Sequence, residues 1–322
     1  MHRIPLPLPG DHLKAVNVYA LEDVGGVTLI DSGWALEEAR ELLERSLAAI
    51  GHELGDVRRF LVTHVHRDHY TLAITVRRLF GSRVLLGTGE RQTLALNDGS
   101  GGRGGGEVFG DMLRRAGAAP VAQKLGEMWS GEGPDPRDWE QPDAWLEGTE
   151  KIEVADRTLR VIPTPGHTHG HVVFADDAAG LLFAGDHVLP HITPSIGFEP
   201  ARPELPLGDY LASLRLVRSM PDMRLLPAHG GPTASVHARV DELIAHHDQR
   251  LDACAAVITQ GAATAYEAAQ ILTWTRRERS FDELDPFNQM MAVLETAAHL
   301  DVLVRQGRLR SGAEVGVVTY AS

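Results

Sequence analysis

The sequence predicts an α/β protein with a smaller helical region at its C-terminal end. Short apolar runs bounded by turn residues alternate with stretches of helical periodicity up to about residue 235. Beyond that point helical stretches follow one another and the chain closes on a short hairpin. A third observation bears on chemistry. "HVHRDH", residues 64–69, places three histidines and an aspartate within six positions, directly after an apolar run. Polar groups this crowded beside a core repel one another or lose hydration unless something binds them together.

Taken in order, "AVNVYALED", the Gly25-Gly26 turn and "VTLIDSG" read as a β-hairpin. "ALEEARELLERSLAAIG" has helical periodicity, acids in its first turn and Gly51 as its stop. "VRRFLVTH" is a short buried strand whose end delivers the histidine cluster into a loop. "TLAITVRRLFG" is a helix and "RVLLGTG" the next strand. Residues 97–150 break the rhythm. "NDGSGGRGGGE" is too glycine-rich for a packed element, and no Gly-Lys-Ser/Thr follows to make it a phosphate loop. "SGEGPDPRDWEQPDAW" mixes Pro, Gly, acids and Trp. The segment reads either as a solvated insertion or as a mobile cover over a pocket. Strands return at "TEKIEVADRTLRVIPTPGH" and "HVVFADDAAGLLFAGDHV". "PLGDYLASLRLVRSM" is a helix, and "RLLPAHGG" a strand running into a loop. From about residue 235, "VHARVDELIAHHDQRLDACAAVITQ", "TAYEAAQIL" and "DPFNQMMAVLETAAHLDVLVRQG" are helices, followed by a hairpin in "RLRSGAEVGVVTYAS". The reading divides the chain into a main domain, 1–235, and a C-terminal winged-helix-like domain, 236–322.

Composition narrows the function. The 322 residues are 43% apolar and 23% charged, ordinary for a globular protein with an ample core. A net charge of −13 argues against a general nucleic-acid binder. The C-terminal part is itself acidic, with seven Arg against twelve Asp plus Glu over residues 241–322, which favours dimerisation or pocket-shaping over DNA binding. The N-terminus "MHRIPLPLPG" lacks a secretory h-region and no apolar run is long enough for a membrane span, so a cytoplasmic protein is expected. The one cysteine, Cys254, excludes an internal disulfide and any multi-cysteine metal site. A metal must therefore be held by histidines and carboxylates.

Four further segments carry His or Asp at the ends of predicted strands. They are Asp31 in "LIDSG", His167 in "PTPGHTHGH", Asp186 in "FAGDHV" and His229 in "LPAHGG". Strand ends are where α/β folds assemble their sites. With these residues in this order, the chain resembles the metallo-β-lactamase superfamily over about residues 10–235. The resemblance implies an αββα sandwich with a metal site along one edge. It implies that His64, His66 and His167 hold a first metal, that Asp68, His69 and His229 hold a second, and that Asp186 bridges both. Zn is the expected ion, with Fe or Mn as alternatives. Asp31 is expected to accept a hydrogen bond from a ligand imidazole, and His171 to sit behind the ligands. His169, His187 and His191 crowd the same loops. His187 and His191 read either as facing substrate or as solvated. Tyr70, where the family has a small residue, reads either as a donor to a substrate carbonyl or as a ring packed under the loop.

The function implied is a dinuclear hydrolase whose metal-bridging hydroxide attacks a small-molecule ester, thioester or lactone carbonyl, with Asp68 as proton carrier. Within the family the acidic helical tail is most similar to the branch of thioesterases and a small endoribonuclease. The alternatives are an endoribonuclease or phosphodiesterase, with Arg67, Arg103, Arg114 and Arg115 lining the cleft, and a mononuclear-iron sulfur dioxygenase. A metal-stabilised scaffold that binds a partner is the non-enzymatic reading.

Overall fold

The computed structural model describes residues 1–10, 13–97, 105–129 and 135–322. Its first sheet orders the strands β1 (His2–Pro7), β2 (Ala15–Asp23), β3 (Gly26–Ile30), β4 (Val57–Leu61), β5 (Arg83–Gly87) and β6 (Ala144–Leu146). The first three are antiparallel neighbours, and the pairs from β3 to β6 are parallel. Helices α1 (Glu37–Ala48) and α2 (Arg67–Phe80) make the first two crossovers. The second sheet contains β7 (Lys151–Val154), β8 (Arg157–Pro163), β9 (Val172–Asp176), β10 (Leu181–Gly185) and β11 (Arg224–Pro227), in the order 11-10-9-8-7.

Period-two alternation decides which way each strand faces. On β2, Tyr19 and Leu21 point into the space between the sheets, while Val16, Val18 and Ala20 point outward to α1 and α2. On β9, Val172 and Phe174 point inward, and Val173 and Ala175 outward. Inner faces meet as one apolar layer and outer faces are covered by helices, which gives the αββα sandwich.

The outer face of the second sheet carries α4 (Gly105–Arg115), α5 (Ala119–Met128), α6 (Pro206–Ser219), α7 (Val236–Thr259) and α9 (Pro286–Arg305) in one continuous core. The short α3 (Arg91–Asn97) precedes this group, and α8 (Ala265–Ile271) and the hairpin β12 (Arg310–Glu314) to β13 (Val317–Ala321) complete it. Cys254 is buried within this layer.

Two expectations need correction. Residues 97–150 are not irregular where they are described. Phe109 and Leu113 on α4, and Val121 and Leu125 on α5, are buried in the same core as α9, and β6 extends the first sheet. Apolar spacing within "EVFGDMLRRAGAAPVAQKLGEM" outweighs the neighbouring glycine run, most of which lies outside the described residues. The histidine cluster does not sit wholly in a loop either. Helix α2 starts at Arg67, so Asp68 and His69 occupy its first turn, where an acid complements the helix dipole.

Candidate metal centre

Strand ends from both sheets open on one edge of the sandwich. There β3 delivers Asp31, β4 delivers Thr63 and His64, the β8–β9 turn delivers His167, and β10 and β11 deliver Asp186 and His229. Gly185, at φ +51°, lets these ends close up, since a Cβ there would stand 2.6 Å from Thr63 Oγ1 and 2.7 Å from His171 Nε2.

Seven side chains converge. His66 Nδ1 lies 3.0 Å from His64 Nε2 and 3.0 Å from His167 Nε2. His69 Nε2 and His229 Nε2 lie 3.6 and 3.4 Å from Asp68 Oδ2. The two oxygens of Asp186 divide between the groups. Oδ2 is 3.5 Å from His167 Nε2, while Oδ1 is 3.6 Å from His69 Nε2 and 3.4 Å from His229 Nε2. The side chains fall into overlapping groups able to hold an ion: His64, His66 and His167; His64, His69 and Asp186; and Asp68, His69 and His229.

The remaining ring nitrogens explain the orientation. His167 Nδ1 donates to the Ser195 carbonyl at 2.8 Å, and His229 Nδ1 to the Ala15 carbonyl at 2.9 Å. His69 Nδ1 lies 3.0 Å from Asp31 Oδ2. Each of these outer partners fixes a tautomer whose Nε2 lone pair faces the centre. The inward atoms His69 Nε2, His229 Nε2 and Asp186 Oδ1 are buried with no hydrogen-bond partner. Buried polar atoms are rarely left so. Tetrahedral zinc with Zn–N near 2.0–2.1 Å holds its ligand atoms roughly 3.3 Å apart, close to the spacings here. The donor set fits divalent metal ions.

Electrostatics agree. Burial, reinforced by neighbouring histidines, pushes the His64 imidazole well below its usual range and His66 down to about 3. Burial thus keeps both imidazoles neutral, the form in which a histidine can bind a metal ion. Burial would lower His69 too, but Asp31, Asp68 and Asp186 outweigh it and hold that imidazole up to about 10. Burial would raise Asp68 and Asp186, yet the His69 and His229 imidazoles keep both carboxyls below the usual range. The three carboxylates thus favour a positive charge at His69, which a proton on Nε2 or a metal ion in its place would supply.

Around the ligands, Asp31 Oδ1 accepts from the Thr63 amide and hydroxyl at 2.8 and 2.9 Å, with its own backbone at φ +58°. His171 Nε2 accepts from the Asp186 amide, leaving Nδ1 to donate to Thr164 Oγ1 at 2.8 Å. Tyr70 does not face a substrate. Its ring is buried and its hydroxyl donates to the Glu140 carbonyl. His187 is neither solvated nor at the opening, being fully buried with its ring against Tyr210. His191 lines a cavity beside His229, and the exposed His169 contributes its amide to Glu199.

Sequence reasoning missed Thr63, Asn17, Glu90 and Glu199. Asn17 Nδ2 donates to the carbonyls of Pro227 and Gly230, clamping the turn that carries His229. Glu90 accepts from Thr168 Oγ1, and Glu199 Oε2 from the His169 amide at 2.8 Å, so both hold the His167 turn. A polar residue inside the apolar run "AVNVYAL" was the available signal for Asn17. The only local signal for Glu90 is its place after the glycines of "GTGE", and Glu199 has none.

Known proteins are similar to this chain in sequence and fold. The profile of the Metallo-beta-lactamase superfamily matches residues 13–229. A probable metallo-hydrolase of Bacillus subtilis (strain 168) is 24% identical over 340 residues, covering 99% of this chain and 96% of its own length. A crystal structure of a metallo-beta-lactamase family protein from Thermus thermophilus is 30% identical, with a TM-score of 0.76 over 99% of this chain and 97% of that one. An atrochrysone carboxyl ACP thioesterase of Aspergillus fumigatus is 23% identical over 240 residues, which is 74% of this chain and 43% of the thioesterase. The sandwich, the converging ligands and a match across two thirds of the chain lead to one conclusion: this chain belongs to the metallo-β-lactamase superfamily of metal-dependent hydrolases.

Proposed function

We propose that the chain is a dinuclear metallohydrolase acting on the carbonyl of a small-molecule ester, thioester or lactone, with thioesters ranked first. The observation that carries the reading is the division of Asp186 between two histidine groups, which is what a ligand shared by two ions requires. His64, His66 and His167 would hold one ion, Asp68, His69 and His229 the other. Zinc suits this nitrogen and oxygen set, and iron or manganese remains compatible with it. Two such cations would supply a bound water with its pKa lowered toward ~7 and would polarise a substrate carbonyl.

The chain's own residues do the rest. Asp31, Ser195 and Ala15 hold three imidazoles in the tautomer that ligates. The Asp68 side chain, 17% exposed against 10% for Asp186, is the more open of the two carboxylates. Its Oδ2 is the atom placed to take a proton from the attacking water and return it to the leaving group. The similarity to an ACP thioesterase supports the choice of thioester. A phosphodiester reading has less support. Arg67, which lies over the Trp34 ring, Arg114, which pairs with Asp111, and Arg115 are not among the described residues lining the cavity beside His229, and Arg103 lies outside the described residues. Among the described residues no helix is long and apolar enough to cross a membrane.

Elemental analysis of the metal-replete protein and of Asp68→Asn tests the reading, alongside hydrolysis of a thioester panel and of an RNA oligonucleotide. Two ions per chain, thioester turnover, and loss of one ion with most of that turnover in Asp68→Asn are expected. One ion per chain, or near-normal turnover in Asp68→Asn, would overturn it.

A further inference from the structure

Beside His229 opens a cavity of about 340 Å³ whose charged side chains, among the described residues, are cations only. On one side the hairpin of β1 and β2 contributes Arg3 and Lys14. On the other stand His191 and Ile192, and the imidazole of His229 lies in the wall. Among the described residues no Asp or Glu lines it, although acids outnumber bases by thirteen in the whole chain. No carboxylate among the described residues pairs with Arg3 or Lys14, and both side chains are exposed. Arg3 has one long contact, Nη1 to the Gly230 carbonyl at 3.4 Å, which leaves most of its donors unused.

The walls are held in place from behind. Arg239 on α7 donates to the carbonyls of Leu189 at 2.6 Å and Ile192 at 3.0 Å, and Arg276 donates to that of His191. On the opposite wall the Ala15 carbonyl, one residue from Lys14, accepts from His229 Nδ1. Lys14 is therefore one residue from a group that orients a metal-site imidazole. Behind the outer wall Arg276 adds one further cation, while Glu242 offsets the charge of Arg239 at 2.7 Å. A cleft lined by one sign of charge concentrates the field and selects ligands of the other sign. The volume is at the low end for ligand sites, enough for part of a substrate.

We infer that this cavity is a subsite for an anionic portion of the substrate, a carboxylate or phosphate held by Arg3 and Lys14 while the scissile carbonyl lies at the His229 end. The inference rests on the hydrolase reading and narrows it to anionic acyl esters and thioesters. Two sources of the anion are possible in such molecules, a carboxylate on the acyl half or a phosphate on the alcohol or thiol half.

Three thioesters separate the cases: S-acetyl-N-acetylcysteamine (neutral), S-succinyl-N-acetylcysteamine (acyl carboxylate) and S-acetyl-4′-phosphopantetheine (thiol-side phosphate). For the metal-replete protein, kcat/KM should favour one anionic probe over the neutral one by about tenfold or more, the scale of a charge-assisted contact. The advantage should lie in KM and shrink as ionic strength rises. In Arg3→Gln/Lys14→Gln the ratio of anionic to neutral kcat/KM should fall to near one. Which probe wins identifies the source. Equal use of all three probes by the wild type, or an unchanged ratio in the double variant, overturns the inference. Turnover of none of them defeats the ranking of thioesters as substrates instead. Calorimetric titration with succinate and with inorganic phosphate then still decides the subsite. Weaker binding by the double variant supports it, and equal binding removes it.

Discussion

Glu90 offers a sharp test of how the ligand turns are held. Its side chain is fully buried, accepts from Thr168 Oγ1 and faces the Val65 amide in a looser contact. Val65 lies between His64 and His66, and Thr168 follows His167, so one carboxyl touches both segments that supply the first histidine group. Glu199 is 2% exposed and supports the same turn through the His169 amide and Thr93 Oγ1. Burial and the Glu199 charge hold the Glu90 carboxyl well above the usual range, and burial pushes Glu199 up to about 7. Burial therefore favours the neutral, protonated form of Glu90.

Two substitutions then differ. Glu90→Gln keeps the shape and an oxygen acceptor for Thr168, and should cost within about 1 kcal/mol near pH 7. Glu90→Ala strands the buried Thr168 hydroxyl, about 1–3 kcal/mol, and opens a cavity, for a total near 3 kcal/mol. The pH dependence has a definite sign. The native state keeps the Glu90 proton at pH values where the unfolded chain has lost it. Wild-type stability thus falls as pH rises from about 4.5 through the raised value. Glutamine cannot titrate, so the difference should move in favour of Glu90→Gln by up to about 1.4 kcal/mol per pH unit. Glu199 adds the same downward slope to both proteins between about pH 4.5 and 7. The assay is urea unfolding of the metal-loaded proteins from pH 5 to 8, with chelator competition for metal affinity. A Glu90→Ala protein as stable as wild type and equally tight for metal would refute the bridging role. A wild-type-like pH slope in Glu90→Gln would refute the neutral acid.

Two more predictions follow from neighbouring geometry. All the groups on Asp31 are donors, so an amide nitrogen in Asp31→Asn must face an N–H or O–H; metal affinity should weaken roughly 10–100-fold by chelator competition, and unchanged affinity would show that His69 orients without it. Truncation after about residue 240 removes α9, whose Met290, Val293, Leu300 and Leu303 share a core with α4, α5 and α6; the remainder should aggregate on light scattering, and a soluble truncated protein with normal turnover would show that this core is dispensable.

The side chains that converge at the centre were legible in the sequence because most of them follow an apolar strand within a few residues, a position that periodicity marks. The supporting groups were not. His229 is anchored by the carbonyl of Ala15 and His167 by that of Ser195, and a backbone carbonyl leaves no trace in residue identity. Thr93, Glu90 and Glu199 meet only because distant turns pack together. The helices at 105–115 and 119–128 were hidden for a different reason. Their apolar positions face α9 rather than the sheet next to them in sequence, so the glycine-rich surroundings dominated the local reading.

The same long-range contacts explain why the C-terminal helices and the site belong to one structural problem. A cluster of imidazoles and carboxylates on loops gains metal affinity only if its geometry is held before the ion arrives, since ordering the loops afterwards would subtract from the binding energy. The first sheet supplies part of that stiffness through Asn17 and Tyr19, both hydrogen-bonded to the Pro227 carbonyl ahead of His229. The outer layer supplies the rest. Tyr210 on α6 donates to the His187 carbonyl next to Asp186, Ser213 donates to the Pro165 carbonyl ahead of His167, and Arg239 on α7 fixes the loop beyond Asp186. Tyr210 in turn packs against His247 on α7, which stacks on His299 of α9. Loosening the C-terminal layer should therefore reach the centre through these three hydrogen bonds, although none of its helices supplies a ligand.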